Sequence, residues 1–159
     1  MRRAIATGLT LVIGLIAAQP AGAGAGHRVG VMTSAGTVAY FPKAKCSVNH
    51  GDLVVNTPKV AGYGLFVLVD DYSRDQDTYN VKPGNTGPLV SVSYPGGGND
   101  SYSNTHVPLF PSHGGGQIQV MDKGRLVGIG YTPAYTSDFS DAATITGVLR
   151  CKYPKHRAS

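Results

Sequence analysis

Nowhere in this chain do twelve consecutive residues carry an apolar stripe at helical spacing, and that absence limits the fold more than any other feature. Local chemistry agrees. Glutamate, a strong helix former, does not occur, and 22 Gly with 10 Pro make up about a fifth of the 159 residues. A coiled coil or helical bundle is excluded. General disorder is excluded too, because 42% of the residues are hydrophobic and only 14% are charged. One domain is the natural expectation at this length.

Short β-prone runs separated by turn signals take the place of helices. Thr37 to Phe41 ends at Pro42, and Leu53 to Val55 follows the turn signal His50-Gly51-Asp52. Gly64 to Asp70 is almost continuously apolar, as in a central strand or one buried on both faces. Thr78 to Val81 alternates. Val90, Val92 and Tyr94 share one face while Ser91 and Ser93 share the other, the period of a half-buried strand. Thr105 to Phe110 reads as a weak edge strand because of Pro108. Gln117 to Val120 and Arg125 to Tyr131 form a hairpin about Asp122-Lys123-Gly124. Pro133 to Asp141 reads as a loop, with one short helical turn around Ser137 to Ala142. Ala143 to Cys151 alternates again and closes the domain. The fold expected is all-β, an antiparallel β-sandwich or open barrel over residues 37–152. A flexible N-terminal segment (24–36) would precede it and a basic tail (153–159) would follow.

The first 23 residues read as an address. Arg2 and Arg3 precede the apolar stretch Leu9 to Ala18, and the small residues that follow suit cleavage after Ala23 or Ala25. Ten apolar residues are too few to span a bilayer, which takes about 20. The sequence thus predicts a secreted or envelope-associated protein with no transmembrane segment in its mature chain. Cys46 and Cys151 are the only cysteines, and in an oxidising compartment they are expected to form a disulfide between the first and last strands. Without the two leading arginines the formal charge falls from +5 to +3, with the basic residues scattered apart from the tail. A nucleic-acid partner would need a denser basic face.

Residues that could carry chemistry are few. His113-Gly114-Gly115-Gly116 looks like the oxyanion loop of lipases and esterases, but no G-x-S-x-G elbow accompanies it. Asp71, Asp75 and Asp77 cluster in one turn, a weak calcium candidate that lacks the EF-hand order and a bidentate Glu. Tyrosine offers stiff amphipathic area that suits binding surfaces. Tyr102 and Tyr135, placed in expected loops, are the candidates for ligand contact, and Asn99, Asp100 and Asn104 beside Tyr102 supply the amides and carboxylate that carbohydrate recognition uses. No residue pattern calls for a cofactor.

Cys46, the run Val67-Leu68-Val69-Asp70-Asp71 leading to Tyr79-Asn80-Val81, Val90 to Tyr94 before a Gly-rich turn, Leu126 to Gly130, and the last strand ending in Arg150-Cys151 form a layout of strands. Over residues 44–152 this layout resembles the 19 kDa lipoprotein antigens of mycobacteria and related actinobacteria. The resemblance implies a small β-rich envelope protein with a terminal disulfide and no established catalytic centre. Members of that family carry a lipobox cysteine directly after the signal peptide, and Ala17 to Ala25 contains none. The functional expectation is a non-enzymatic, surface-antigen-like β domain that binds a ligand such as cell-wall glycan or lipid through its loops. The alternatives are a secreted hydrolase using the His113 loop and a secreted protease inhibitor presenting 95–104 or 133–139.

Overall fold

A computed structural model describes residues 26–73, 76–82, 87–96, 101–106 and 115–153. The leader and residues 154–159 of the tail lie outside the described residues, as do the candidates Asp75, Asn99, Asp100 and His113.

The described chain is almost entirely strand: β1 (Val29–Thr33), β2 (Gly36–Phe41), β3 (Lys43–Asn49), β4 (Asp52–Asn56), β5 (Gly64–Val69), β6 (Thr78–Asn80), β7 (Leu89–Ser93), β8 (Ser101–Ser103), β9 (Gln117–Met121), β10 (Leu126–Tyr135) and β11 (Ala142–Lys152). The all-β expectation holds. The sheet runs β2-β1-β11-β3-β4-β5-β7-β8-β10-β9-β6, and β10 also pairs with β11. Pairing therefore returns to its start through β11, β3, β4, β5, β7, β8 and β10, a closed ring to which β1–β2 and β9–β6 are appended.

Alternation decides which side of each strand faces in. Leu53 and Val55 of β4, Leu65, Val67 and Val69 of β5, and Val90 and Val92 of β7 are buried. Phe41, Ile118, Ile145 and Leu149 are the bulkiest of the other wholly buried side chains. Tight turns follow from local sequence. Asn49 pairs with Asp52 around His50-Gly51, both with positive φ (52° and 95°), the two-residue turn that matches strand twist.

Several expectations are corrected. The supposed flexible segment holds β1, whose Val29 and Val31 are buried and which pairs with both β11 and β2. β3 gives a faint strand signal in the sequence because its inward residues, Ala44 and Cys46, are small. Of the edge strand expected over 105–110, residues 107–110 lie outside the described residues, and Thr105 and His106 follow β8 without belonging to a strand; no helix forms between 137 and 142. β10 continues through Pro133 to Tyr135; its second edge carries no ladder partner between Ile129 and Tyr135 among the described residues, a place a proline tolerates.

Cys46 and Cys151 are bonded, with Cα atoms 5.3 Å apart, inside the usual disulfide range. The link joins the third strand, not the first, to the last. It lies under the sheet's one parallel pairing among the described strands, β3 with β11, where the expectation was wholly antiparallel.

Candidate functional site

The most accessible aromatic surface among the described residues is made by a β-bulge. In β10, Val127 and Ile129 face inward. Strict alternation would turn Tyr131, Pro133 and Tyr135 inward as well. The register against β11 instead jumps from Ile129↔Gly147 to Thr132↔Ile145, so β10 carries one extra residue. Parity flips there. Thr132 and Ala134 become the buried pair, and Tyr131 is left 69% exposed. The bulge stands against Gly147, at φ 133°, where a Cβ would overlap the Arg28 carbonyl.

Tyr131, Pro133 and Tyr135 consequently share one outer face, about 7 Å between successive members. Register places Thr144 opposite Pro133, Ala142 opposite Tyr135, and Met32 of β1 opposite Thr144. The result is an open cleft of about 740 Å³ floored by strands, with Thr33 and Ser34 at its rim. Among the described residues its one carboxylate is Asp141, and both of its oxygens are engaged. Oδ2 accepts the Tyr102 hydroxyl at 2.6 Å and Oδ1 accepts the Ala142 N–H at 2.8 Å.

Tyr102 is thereby corrected. It lies in β8 and is buried, packs on Tyr94 (ring centroids 5.3 Å apart), and braces Asp141 rather than a ligand. Burial pushes its phenol well above the ordinary range, and the Asp141 hydrogen bond adds to this. Asn104 is a structural amide, accepting from Val90 N–H at 2.6 Å and donating to Pro88 carbonyl at 3.0 Å. Tyr135 ends β10 half-buried and lines the cleft, on a strand instead of the expected loop.

Beside the cleft, the connection from Tyr135 to Ala142 is locked by its own hydrogen bonds. Thr136 N–H donates to Asp141 carbonyl at 3.1 Å and Phe139 N–H to Thr136 carbonyl at 3.0 Å. One Asp138 oxygen accepts from Ser140 N–H (3.0 Å), Ser140 Oγ (2.7 Å) and Thr136 Oγ1 (2.8 Å). These bonds, the Ser140 backbone first, hold the Asp138 carboxyl down to about 2. Phe139, at φ 58°, is held half-exposed.

A second cleft of about 710 Å³ lies between the end of β3, Tyr72, Gln76-Asp77, Lys123-Gly124 and Tyr153. Its wall is a left-handed turn, Asp122, Lys123 and Gly124 at φ 48°, 53° and 84°. Tyr153 hydroxyl donates to Gly124 carbonyl at 2.8 Å. Of the calcium candidates, Asp77 borders this cleft, and its carbonyl accepts Val120 N–H at 2.8 Å. Asp71 donates its N–H to the Asp52 carboxylate at 3.2 Å. Among the described residues no three His, Cys, Asp or Glu side chains converge as metal ligands. His106 Nδ1 lies 2.9 Å from the Tyr135 carbonyl, and no buried side-chain polar atom among the described residues lacks a partner.

The missed signal was the string Val127-Gly-Ile-Gly-Tyr-Thr-Pro-Ala-Tyr135, where Gly130 marks a possible bulge. No protein-family model matches the chain, and no curated protein matches it in sequence.

Proposed function

We propose that this chain is an exported, non-enzymatic β domain that binds a neutral glycan strand on the Tyr131–Pro133–Tyr135 face, at the secreted or cell-envelope location its N-terminus suggests. The observation that carries the reading is the parity flip at the bulge, which places large amphipathic rings in solvent that alternation would bury. Flat rings bordered by the Thr33, Ser34 and Thr144 hydroxyls suit a sugar's apolar face and its hydroxyl edge. Lipid suits it less, because an acyl chain gains its affinity from removal from water, and this cleft is an open surface. Asp141 is already saturated, so nothing here asks for a charged ligand. The likeness to actinobacterial lipoprotein antigens accords with an envelope role.

The experiment is a glycan array probed with the mature, oxidised protein, followed by Tyr131→Ala and Tyr135→Ala. Each ring removed should weaken a positive signal about 3- to 10-fold, from roughly 1 kcal/mol of aromatic contact. A silent array, or a signal indifferent to both substitutions, overturns the reading.

A second reading, a secreted protease inhibitor, draws on the bonded loop that holds Phe139 outward. A protease that cuts after aromatic residues should then be inhibited; rapid cleavage at Phe139 without inhibition removes it.

A further inference from the structure

The parallel seam between β3 and β11 carries an arrangement that neither cleft uses. Register sets Arg150 beside Lys43 and Lys152 beside Lys45. Alternation sends Ala44, Cys46, Leu149 and Cys151 inward, so all four cationic side chains emerge on the outer face, and all four are exposed. They form a two-by-two grid, about 4.8 Å across the strands and about 6.6 Å along them.

Among the described residues no carboxylate answers them in register. β4 offers Asn56 opposite Lys45 and Val54 opposite Ser47, and β10 offers Leu126 opposite Arg150. Like charges directly opposite each other destabilise a sheet. Lysines often guard exposed sheet edges against aggregation, but that explanation fails here. β4 flanks β3 at Lys45 and β10 flanks β11 at Arg150, so at those two positions neither strand is an edge. The Cys46–Cys151 bond fastens the two strands directly beneath the grid. A local electrostatic cost is thus kept in place by a covalent link.

We infer that Lys43, Lys45, Arg150 and Lys152 form a docking face for a linear polymer bearing phosphate esters. Charge complementarity selects a polyanion, and a straight two-strand grid fits successive phosphates along a chain. An anionic bilayer is the weaker occupant, because stable membrane attachment takes a second, apolar signal. Of the exposed large hydrophobics among the described residues, Met32, Tyr40 and Tyr131 lie on the same outer side of the sheet, but beside the 144–146 stretch of β11, at least about 13 Å along the strand from Arg150, and none neighbours the four cations. Neither β3 nor β11 places an aromatic ring among the four cations, so base stacking, which strengthens single-stranded nucleic-acid binding, is absent from the grid. The grid lies about 20 Å along β11 from Thr144, on the same side of that strand, and the inference stands whether or not the Tyr131 face binds glycan.

The test is titration of the oxidised mature protein with long-chain inorganic polyphosphate across a salt series. Four neutralised phosphates predict a log–log salt slope of about −3, hence about 50-fold weaker binding from ~50 to ~200 mM salt. Replacing all four residues by Gln should reduce affinity at least about 30-fold at low salt, whereas Lys59→Gln with Lys82→Gln should leave it within about 3-fold. Wild-type protein provides a readout that needs no variant: polyphosphate should protect Lys43, Lys45 and Lys152 from acetylation. A folded quadruple variant that binds as wild type, or no acetylation protection at those lysines, overturns the inference. Pelleting with phosphatidylglycerol vesicles that excess polyphosphate fails to reverse would assign the face to a bilayer and overturn the polymer as its occupant.

Discussion

Replacing Cys46 and Cys151 together by Ala tests the architecture at its narrowest point. The bond spans 105 residues, and a closed loop of that length removes about 4.7 kcal/mol of unfolded-chain entropy. Residual structure in the unfolded state lowers the realised figure, so a loss of about 2–5 kcal/mol is expected. That is a large part of the ~5–15 kcal/mol that stabilises a typical domain. The loss should also be local in origin. β3 and β11 share three register pairs, whereas β10 and β11 share eight. Two of those three pairs set cation against cation on the outer face, so the unlinked seam should separate first. Guanidinium unfolding measures the total, and amide hydrogen exchange locates it. Protection should fall earliest in 44–47 and 150–152, with the β10–β11 ladder more persistent. Repeating the exchange near 1 M salt, where the screening length is ~3 Å, should restore part of the seam's protection. A total loss under about 1 kcal/mol, or protection lost evenly over the sheet, refutes this account of how the fold is held.

Three further outcomes are expected. Gly147→Ala should destabilise the protein by about 2–4 kcal/mol in thermal or chemical melts, since a Cβ at φ 133° overlaps the Arg28 carbonyl, and should alter Tyr131 exposure through the bulge. Asn104→Ala should cost about 2–3 kcal/mol, because it strips partners from the Val90 N–H and the Pro88 carbonyl in a buried site. Hydrogen bonds hold the Asp138 carboxyl down to about 2, below the ordinary aspartate range, so its stabilisation of the 136–141 loop is complete above about pH 4 and fades as pH falls toward 2. Amide exchange at Ser140 should follow that window in the wild type and lose the pH step in Asp138→Asn.

The fold class was legible because alternation is a chemical pattern. Valines in β4, β5 and β7, broken by Gly, Pro and Asp turns, leave little room for another architecture. Strands built from small or mixed residues were harder to see. Lys-Ala-Lys-Cys-Ser alternates as strictly as β7, but Ala44 and Cys46 give a faint apolar signal. The parallel β3–β11 pairing depends on contacts far apart in sequence, and no local rule announces it. The outward Tyr131 face was hidden for a sharper reason. Tyr131 stands at the same parity as Val127 and Ile129, so an uninterrupted period assigns it to the core, while Tyr135 falls in the expected 133–141 loop although β10 continues through it. One unpaired residue reverses that assignment for the rest of the strand. Tyr102 fails in the opposite sense: its Ser, Asn and Asp neighbours resemble a loop, while register against β7 makes it a core strand residue.

β11 gathers these features into one mechanical unit. Its first half pairs with β1, its last three residues pair with β3, and nearly its whole length pairs with β10. The bulge that exposes Tyr131 is therefore a register event on the same strand that carries Arg150, Lys152 and the closing cysteine. A change in the seam at 150–152 need travel only along one continuous backbone to reach Thr144 under the aromatic face. Gly147 stands between the two, and its conformation sets the register on the aromatic side. If the two faces act separately, Gly147→Ala should disturb the Tyr131 side and leave polyphosphate binding within about 3-fold, because the disulfide fixes Arg150 and Lys152 independently of the bulge. If both fail together in a protein that still melts cooperatively, β11 acts as a single rigid rod and the two surfaces cannot be treated as independent.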